Sequence, residues 1–278
     1  MEIKFIYLIK YIIVILMISF YSNLKETISI IIPTYNREKY ILNSIQSILN
    51  QTLFDIEIII IDDCSNDNTD KIIKSIKDNR IKYIKLKKRQ GAPYARNLGI
   101  KLARGRFISF QDSDDIYHFD KLEKQFKNLK RYKSDLDFCK INIHINNTFN
   151  RTVPDKRVTR AIINGNIYGP LIKSGNFIST QSILIKKLYI EKYFFDINFP
   201  RLQDYDLMLR MIPSIKVSFT NEMLVNIFRH NDSISIDSNK LKKALEILLK
   251  KNYNFNNFQN KQFKKFIDLV KKKNKFKY

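Results

Sequence analysis

Short runs of consecutive isoleucine, such as Ile30-Ile31-Ile32 and Ile58-Ile59-Ile60-Ile61, alternate with longer amphipathic stretches from Ile28 onward. A run with no polar alternation has no face to turn to water, so as a strand it must be covered on both sides. Strands of that kind belong to largely parallel sheets whose crossover helices supply the cover. Ile28 to Pro33 reads as the first such strand. Ile41, Ile45, Ile48 and Leu49 then recur at helical spacing within Arg37 to Gln51. Glu57 to Ile61 is a second strand ending on Asp62 and Asp63, and Ser65 to Thr69 is a polar turn into a helix with Ile72, Ile73 and Ile76 inward. Ile81 to Leu86 is a third strand. Gly91 to Gly105 holds a helix with Ala95, Leu98, Leu102 and Ala103 inward, and Arg106 to Gln111 is a fourth strand that stops at an acidic cluster. In open sheets of this kind ligands bind outside the carboxyl ends of the strands, which puts Asp63 and Asp112 in one cleft.

The alternation loosens after Lys121. Leu122 to Tyr132 reads as a helix and Phe138 to Ile145 as a strand. Asn146 to Asn166 shows little periodicity, and Gly165 to Gly175 reads as loop. Gln181 to Lys186, Val217 to Thr220 and Leu224 to Arg229 are strands around a helix at Tyr205 to Met211. Leu241, Leu245 and Leu248, then Phe263, Phe266 and Val270, mark two amphipathic helices with basic outer faces.

The chain carries a net charge of +23 over 278 residues, a balance that raises nucleic acid or an anionic membrane surface as partners. Much of the charge is at the C-terminal end, where residues 240–278 hold thirteen lysines against Glu246 and Asp268. The acidic residues gather instead where the strands end, which argues against a nucleic-acid-binding protein and leaves the basic tail to fit anionic lipid. Cys64 and Cys139 are too few for a disulfide framework. At the N-terminus Phe5 to Ile9 and Tyr11 to Tyr21 are apolar runs split by Lys10, which suits a membrane anchor or membrane-surface helix; a helix packed on a cytoplasmic catalytic domain is the alternative. The division expected is an apolar segment at 1–27, a catalytic domain at 28–235 and a basic amphipathic helical tail at 236–278.

Asp112-Ser113-Asp114-Asp115 follows the apolar strand directly. Carboxylates crowded at a strand end repel one another unless a cation or hydrogen-bond donors offset them. Mn2+ or Mg2+ would do so, because both take oxygen ligands, commonly one or two carboxylates with phosphate oxygens. A solvated turn that caps the next helix is the plainer account of the same residues.

Four segments decide between these accounts. They are Ile28-Ser29-Ile30-Ile31-Ile32-Pro33-Thr34-Tyr35-Asn36-Arg37, Ile58-Ile59-Ile60-Ile61-Asp62-Asp63-Cys64-Ser65, Gly91-Ala92-Pro93-Tyr94-Ala95-Arg96-Asn97-Leu98-Gly99 and the acidic cluster. In order and spacing they closely resemble the family 2 glycosyltransferases, and the resemblance resumes at Asn176 to Thr180, Gln203 to Arg210 and Arg229 to Ser235. It implies an α/β fold of the GT-A type, a Rossmann-like mixed sheet flanked by helices. It also implies a nucleotide-sugar donor, a UDP-sugar, and a hydroxyl acceptor on a glycan, lipid or protein. Carried over by position, Pro33 and Tyr35 line a base pocket, Asp63 accepts a hydrogen bond from the base, and Arg96 and Ser113 lie near the nucleotide. Asp112 approaches ribose and metal, and Asp114 is the metal ligand. Asp204 takes the place of the general base, next to Gln203 where the family commonly has Glu. Arg229 and His230 open the segment that closes over the diphosphate. The implied reaction is an inverting transfer. A homologue that binds nucleotide-sugar without activity is the reading that Gln203 keeps open.

Overall fold

The computed structural model describes residues 27–163, 165–229 and 238–275. The apolar segment expected as an anchor, up to residue 26, and His230 lie outside these residues. The described chain forms one nine-stranded mixed sheet with helices on both faces.

Strands β1 (Ile28–Thr34), β2 (Ile56–Asp62), β3 (Ile81–Lys85) and β4 (Phe107–Phe110) alternate with helices α1 (Ile41–Leu49), α2 (Thr69–Ser75) and α3 (Ala92–Leu102). These four strands are parallel, in the order β3-β2-β1-β4. Every residue of β1 and β2 is buried, as the unbroken isoleucine runs require. Ile30, Ile32, Ile58 and Ile60 pack with Ile41, Ile45 and Ile48 of α1 on one face. Ile31, Ile59 and Ile61 pack with Ala95 and Ile100 of α3 on the other. Gly99 lets α3 lie this close, since a Cβ there would fall 2.4 Å from Ile31 Cγ2.

The chain then adds β5 (Ile116–Tyr117), α4 (Lys121–Tyr132), β6 (Leu136–Ile145), β7 (Thr148–Val153), α5 (Lys156–Ile163), α6 (Tyr168–Ser174), β8 (Ile183–Lys186), α7 (Lys187–Tyr193), α8 (Gln203–Met211) and β9 (Val217–Arg229). Strand β8 joins the two halves, running antiparallel to both β4 and β6. Two expectations change here. Gly165 to Gly175 is not all loop, because α6 occupies most of it and buries Leu171 and Ile172; about two helical turns with two inward residues are too short to display a period. The two strands expected at Val217–Thr220 and Leu224–Arg229 are one. Exposed Asn221, Glu222 and Met223 interrupt the apolar pattern where the pairing with β6 shifts register, the mark of a bulge.

Helices α9 (Ser238–Lys250) and α10 (Asn257–Lys275) follow. Leu241, Ala244, Leu245, Leu248, Phe263 and Ile267 are all buried in the same core as α8, so the inner faces of these basic helices belong to the body of the molecule. Among the described residues no helix is long and apolar enough to cross a membrane. A buried polar cluster lies under β4. Lys121 is fully buried, donates to Gln125 Oε1 at 2.7 Å, and has its ammonium 4.1 Å from the Tyr117 ring centre; burial pulls that ammonium down to about 8.

Candidate active site

Strand order sets the location. The chain leaves β1 toward β2 and β3 on one side and toward β4 on the other, so the two strands part at a switch point. Pairing of β1 with β4 stops at Ile31 and Phe110, whereas pairing with β2 continues to Thr34 and Asp62. Pro33, which has no N–H to give, falls where β1 has already lost its β4 neighbour.

On the β2 side the Asp63 carboxylate is buried and accepts hydrogen bonds from the Gln90 and Gly91 N–H groups at 2.6 and 2.8 Å. It therefore holds the loop before α3 against the end of β2. Asp62, beside it, accepts from the Tyr83 hydroxyl at 2.6 Å and from Ser65. Arg89, in the held loop, lies with its guanidinium carbon 4.0 Å from the Tyr35 ring centre. Tyr35 and Arg89 thus form one wall, and only Tyr35 was expected from the sequence. Asn36 adopts a left-handed conformation at φ 50°, while its N–H bonds Ser65 Oγ and its side-chain oxygen accepts from the Asn66 N–H. That turn aims Arg37 toward the acidic loop.

The acidic loop is offset by donors from three different elements. Arg37 Nε lies 3.3 Å from Asp114 Oδ2, and Arg96 of α3 lies 2.6 Å from Asp112 Oδ1. The Gln181 amide, in the turn before β8, donates to both Asp112 and Asp115. Asp115 is 1% exposed and also accepts from the Phe228 N–H at 3.1 Å, which fastens the loop to the end of β9. Burial, then the nearby Asp114 and Asp112 charges, push its carboxyl well above the usual carboxylate range. Ser113 is buried within the loop. Arg229 is the last residue of β9, next to that fastening. Burial pulls its guanidinium down, Arg151 adds to the effect, and Asp115 opposes it.

Asp204 stands in the first turn of α8, its Oδ1 accepting from the Tyr205 N–H at 2.9 Å. Burial raises its carboxyl above the ordinary value; Tyr205 and the Arg96 charge oppose that shift and Asp112 adds to it. Arg96 is therefore paired with the carboxylate at the end of β4, and its charge also favours the ionised form of the one on α8. Gln203 is engaged locally, its amide donating to Phe199 O at 3.1 Å. Asp206 points inward and is paired with Arg210, Lys251 and the Tyr253 hydroxyl, so the second acid of this motif ties α9 and its following loop to α8.

The structure thus brings together Asp112, Ser113, Asp114, Arg96 and Asp204, with Pro33, Tyr35 and Asp63 along one side of the cleft and Arg229 at the end of β9. Arg37, Arg89, Asp115 and Gln181 join them without having been singled out. Arg37 and Asp115 lie inside the segments quoted from the sequence and were legible there. Gln181 meets Asp112 from 69 positions away and has no local signal.

The donors of the acidic loop are oxygens, the ligand type of a hard cation, and Arg37 at present offsets the partly exposed Asp114 carboxylate. Among the described residues no three His, Cys, Asp or Glu side chains are gathered as a metal centre would gather them. A Mn2+ or Mg2+ ion on Asp114 and Asp112 would take further oxygens from a diphosphate, as Mg2+ commonly does.

The family model described as "Glycosyl transferase family 2" matches residues 29–194. The chain is 35% identical over 232 residues to the Escherichia coli UDP-Glc:alpha-D-GlcNAc-diphosphoundecaprenol beta-1,3-glucosyltransferase WfaP, covering 79% of this chain and 83% of that protein. Its fold is similar to the crystal structure of S. aureus TarS 1-349 in complex with UDP, with a TM-score of 0.68, 20% identity, and coverage of 87% of this chain and 70% of TarS. It is also similar to the mannosyltransferase PcManGT from Pyrobaculum calidifontis in complex with GDP-Man and Mn2+, with a TM-score of 0.60, 15% identity, and coverage of 81% and 64%.

Proposed function

The chain belongs to glycosyl transferase family 2, and from that premise we propose that it is an inverting enzyme moving a sugar from a UDP-sugar to a hydroxyl of a lipid-linked acceptor. The observation that carries the reading is Arg96. It pairs with Asp112 at 2.6 Å, and its positive charge favours the ionised form of the buried Asp204. Donor and acceptor machinery therefore share one cation. The named substrates of the E. coli relative, UDP-glucose and a diphosphoundecaprenol-linked sugar, support this choice of donor and acceptor class.

In the reaction, Asp204 accepts the proton of the acceptor hydroxyl. The freed oxygen bonds to the anomeric carbon from the face opposite the nucleotide, while the bond from that carbon to the diphosphate oxygen breaks and the nucleoside diphosphate leaves with its electron pair. One displacement inverts the configuration. A carboxyl raised by burial is a stronger base once ionised, which suits proton abstraction near neutral pH. Arg96 and Arg229 offset charge that grows on the departing diphosphate. Tyr35 and Arg89 would hold the base, and Asp63 serves it by fixing the loop that carries Arg89. Asp114 with Asp112 would hold Mn2+ or Mg2+, whose chemistry when bound is to neutralise the diphosphate as a Lewis acid; the Mn2+ bound by PcManGT supports this assignment.

Two substitutions test the reading in a UDP-sugar transfer assay. Asp204→Asn is expected to lower kcat on the order of a hundredfold or more while donor affinity stays near that of the wild type. Asp114→Ala is expected to cost on the order of a hundredfold and to weaken Mn2+ binding. Near-normal turnover by Asp204→Asn removes the base assignment, and full, chelator-resistant transfer by Asp114→Ala removes the metal assignment.

A further inference from the structure

Helix α10 is buried along one side only. Phe263 and Ile267 are 4% and 0% exposed, and the Phe263 and Phe266 rings meet Tyr205 at 6.3 and 6.2 Å between centres. Tyr205 follows Asp204 directly, so α10 is braced against the helix that bears the base. The opposite side carries a line of exposed residues, Phe258, Lys261, Lys265, Leu269 and Lys272. Phe258 and Leu269 are about three helical turns apart and fall on the same azimuth, with the lysines between and beside them. Phe258 is 65% exposed and Leu269 51%. Lys264 adds charge at the edge of this line, and exposed Lys173 places its amine 5.9 Å from the Phe258 ring centre. Asp268 is the one acid on the helix.

We propose that this outward face of α10 is a docking surface for an anionic lipid bilayer. The charge is complementary, and two large apolar side chains aligned with the lysines leave half or more of their area in water. In the headgroup layer they bury their area while the ammonium groups meet lipid phosphates, which is how interfacial amphipathic helices bind. An RNA partner would need stacking aromatics, and among the described residues Phe258 is the one exposed aromatic on this face, so lipid is favoured. The proposal rests on this surface and not on the transferase reading. Its consequence for that reading is that α8 and Asp204 would sit on the bilayer side of the molecule, where a lipid-linked acceptor arrives.

The test is sedimentation of the full chain with vesicles of phosphatidylcholine, with and without phosphatidylglycerol, across a salt series. The wild type is expected to prefer the anionic vesicles and to release them as salt rises. Neutralising three lysines, as Lys261→Gln, Lys265→Gln and Lys272→Gln together, is expected to weaken anionic binding about a hundredfold, because each basic residue near such a surface contributes about fivefold. Phe258→Ser with Leu269→Ser is expected to weaken binding while leaving its salt dependence in place. Wild-type binding that is equal on both vesicles, or unchanged in the lysine variant, overturns the proposal. So does an RNA oligonucleotide that displaces the vesicles and binds the Phe258→Ser, Leu269→Ser variant as tightly as the wild type. Transferase activity does not enter any of these readouts.

Discussion

Arg96 is the residue on which the proposed chemistry of the cleft turns. Its side chain is 8% exposed, lies 2.6 Å from Asp112, and opposes the upward shift that burial gives Asp204. As the proposed base, Asp204 must be ionised to act, so the rate is expected to fall as pH falls through its value. Removing Arg96 takes away a charge that favours the ionised form. Arg96→Met is therefore expected to move the acid limb of the kcat/KM profile to higher pH and to lower the plateau tenfold or more. A profile that keeps its acid limb in place would show that Arg96 does not act on the base. The acidic loop shows why its own pattern was ambiguous in the sequence. An Asp-x-Asp segment at a strand end is equally a helix-capping turn, and the two are separated only by what comes to meet it. Here that is Arg37, Arg96 and Gln181, from three places in the chain. Arg37 and Arg96 stand in segments whose resemblance could be read; Gln181 could not be found, because nothing around it in the sequence refers to Asp112.

At the scale of elements, legibility followed burial on both faces. The strands β1 and β2 announce themselves because unbroken isoleucine runs have one solution, β4 is a short apolar stretch that ends on the acidic cluster, and the helices between them show their inner faces at regular spacing. Strand β9 does not, since the bulge at Asn221 to Met223 breaks its period. Helix α6 does not either, and its end explains a further packing constraint. Gly175 closes α6 at φ 84°, and a Cβ placed on it would fall 2.4 Å from Phe266 Cζ. The residue therefore fixes how closely α10 approaches. Gly175→Ala combines a strained backbone with overpacking, and the expected loss is about 2 to 4 kcal/mol in a urea unfolding titration. A loss below about 0.5 kcal/mol would mean that α10 is not seated against α6 as described.

For the whole molecule, two halves of different character make one cleft. The parallel half presents strand ends and a held loop to a nucleotide. The other half brings α8 with Asp204, the proposed base, and Asp206 binds that helix to the segment after α9 through Lys251 and Tyr253. The net charge of +23 pointed toward anionic partners in general, and the docking proposal assigns one part of it to a single face of α10. The choice of acceptor has no such signature, because it is expected to depend on the weakly patterned stretch 140–200. The most direct test of the central claim is transfer from a panel of UDP-sugars to a diphospho-lipid acceptor in the presence of Mn2+, with the anomeric configuration of the product read by NMR. The account predicts acceptor-dependent UDP release and a product inverted relative to the donor, both lost in Asp204→Asn. A product with retained configuration, or inverted transfer that persists in Asp204→Asn, would contradict it.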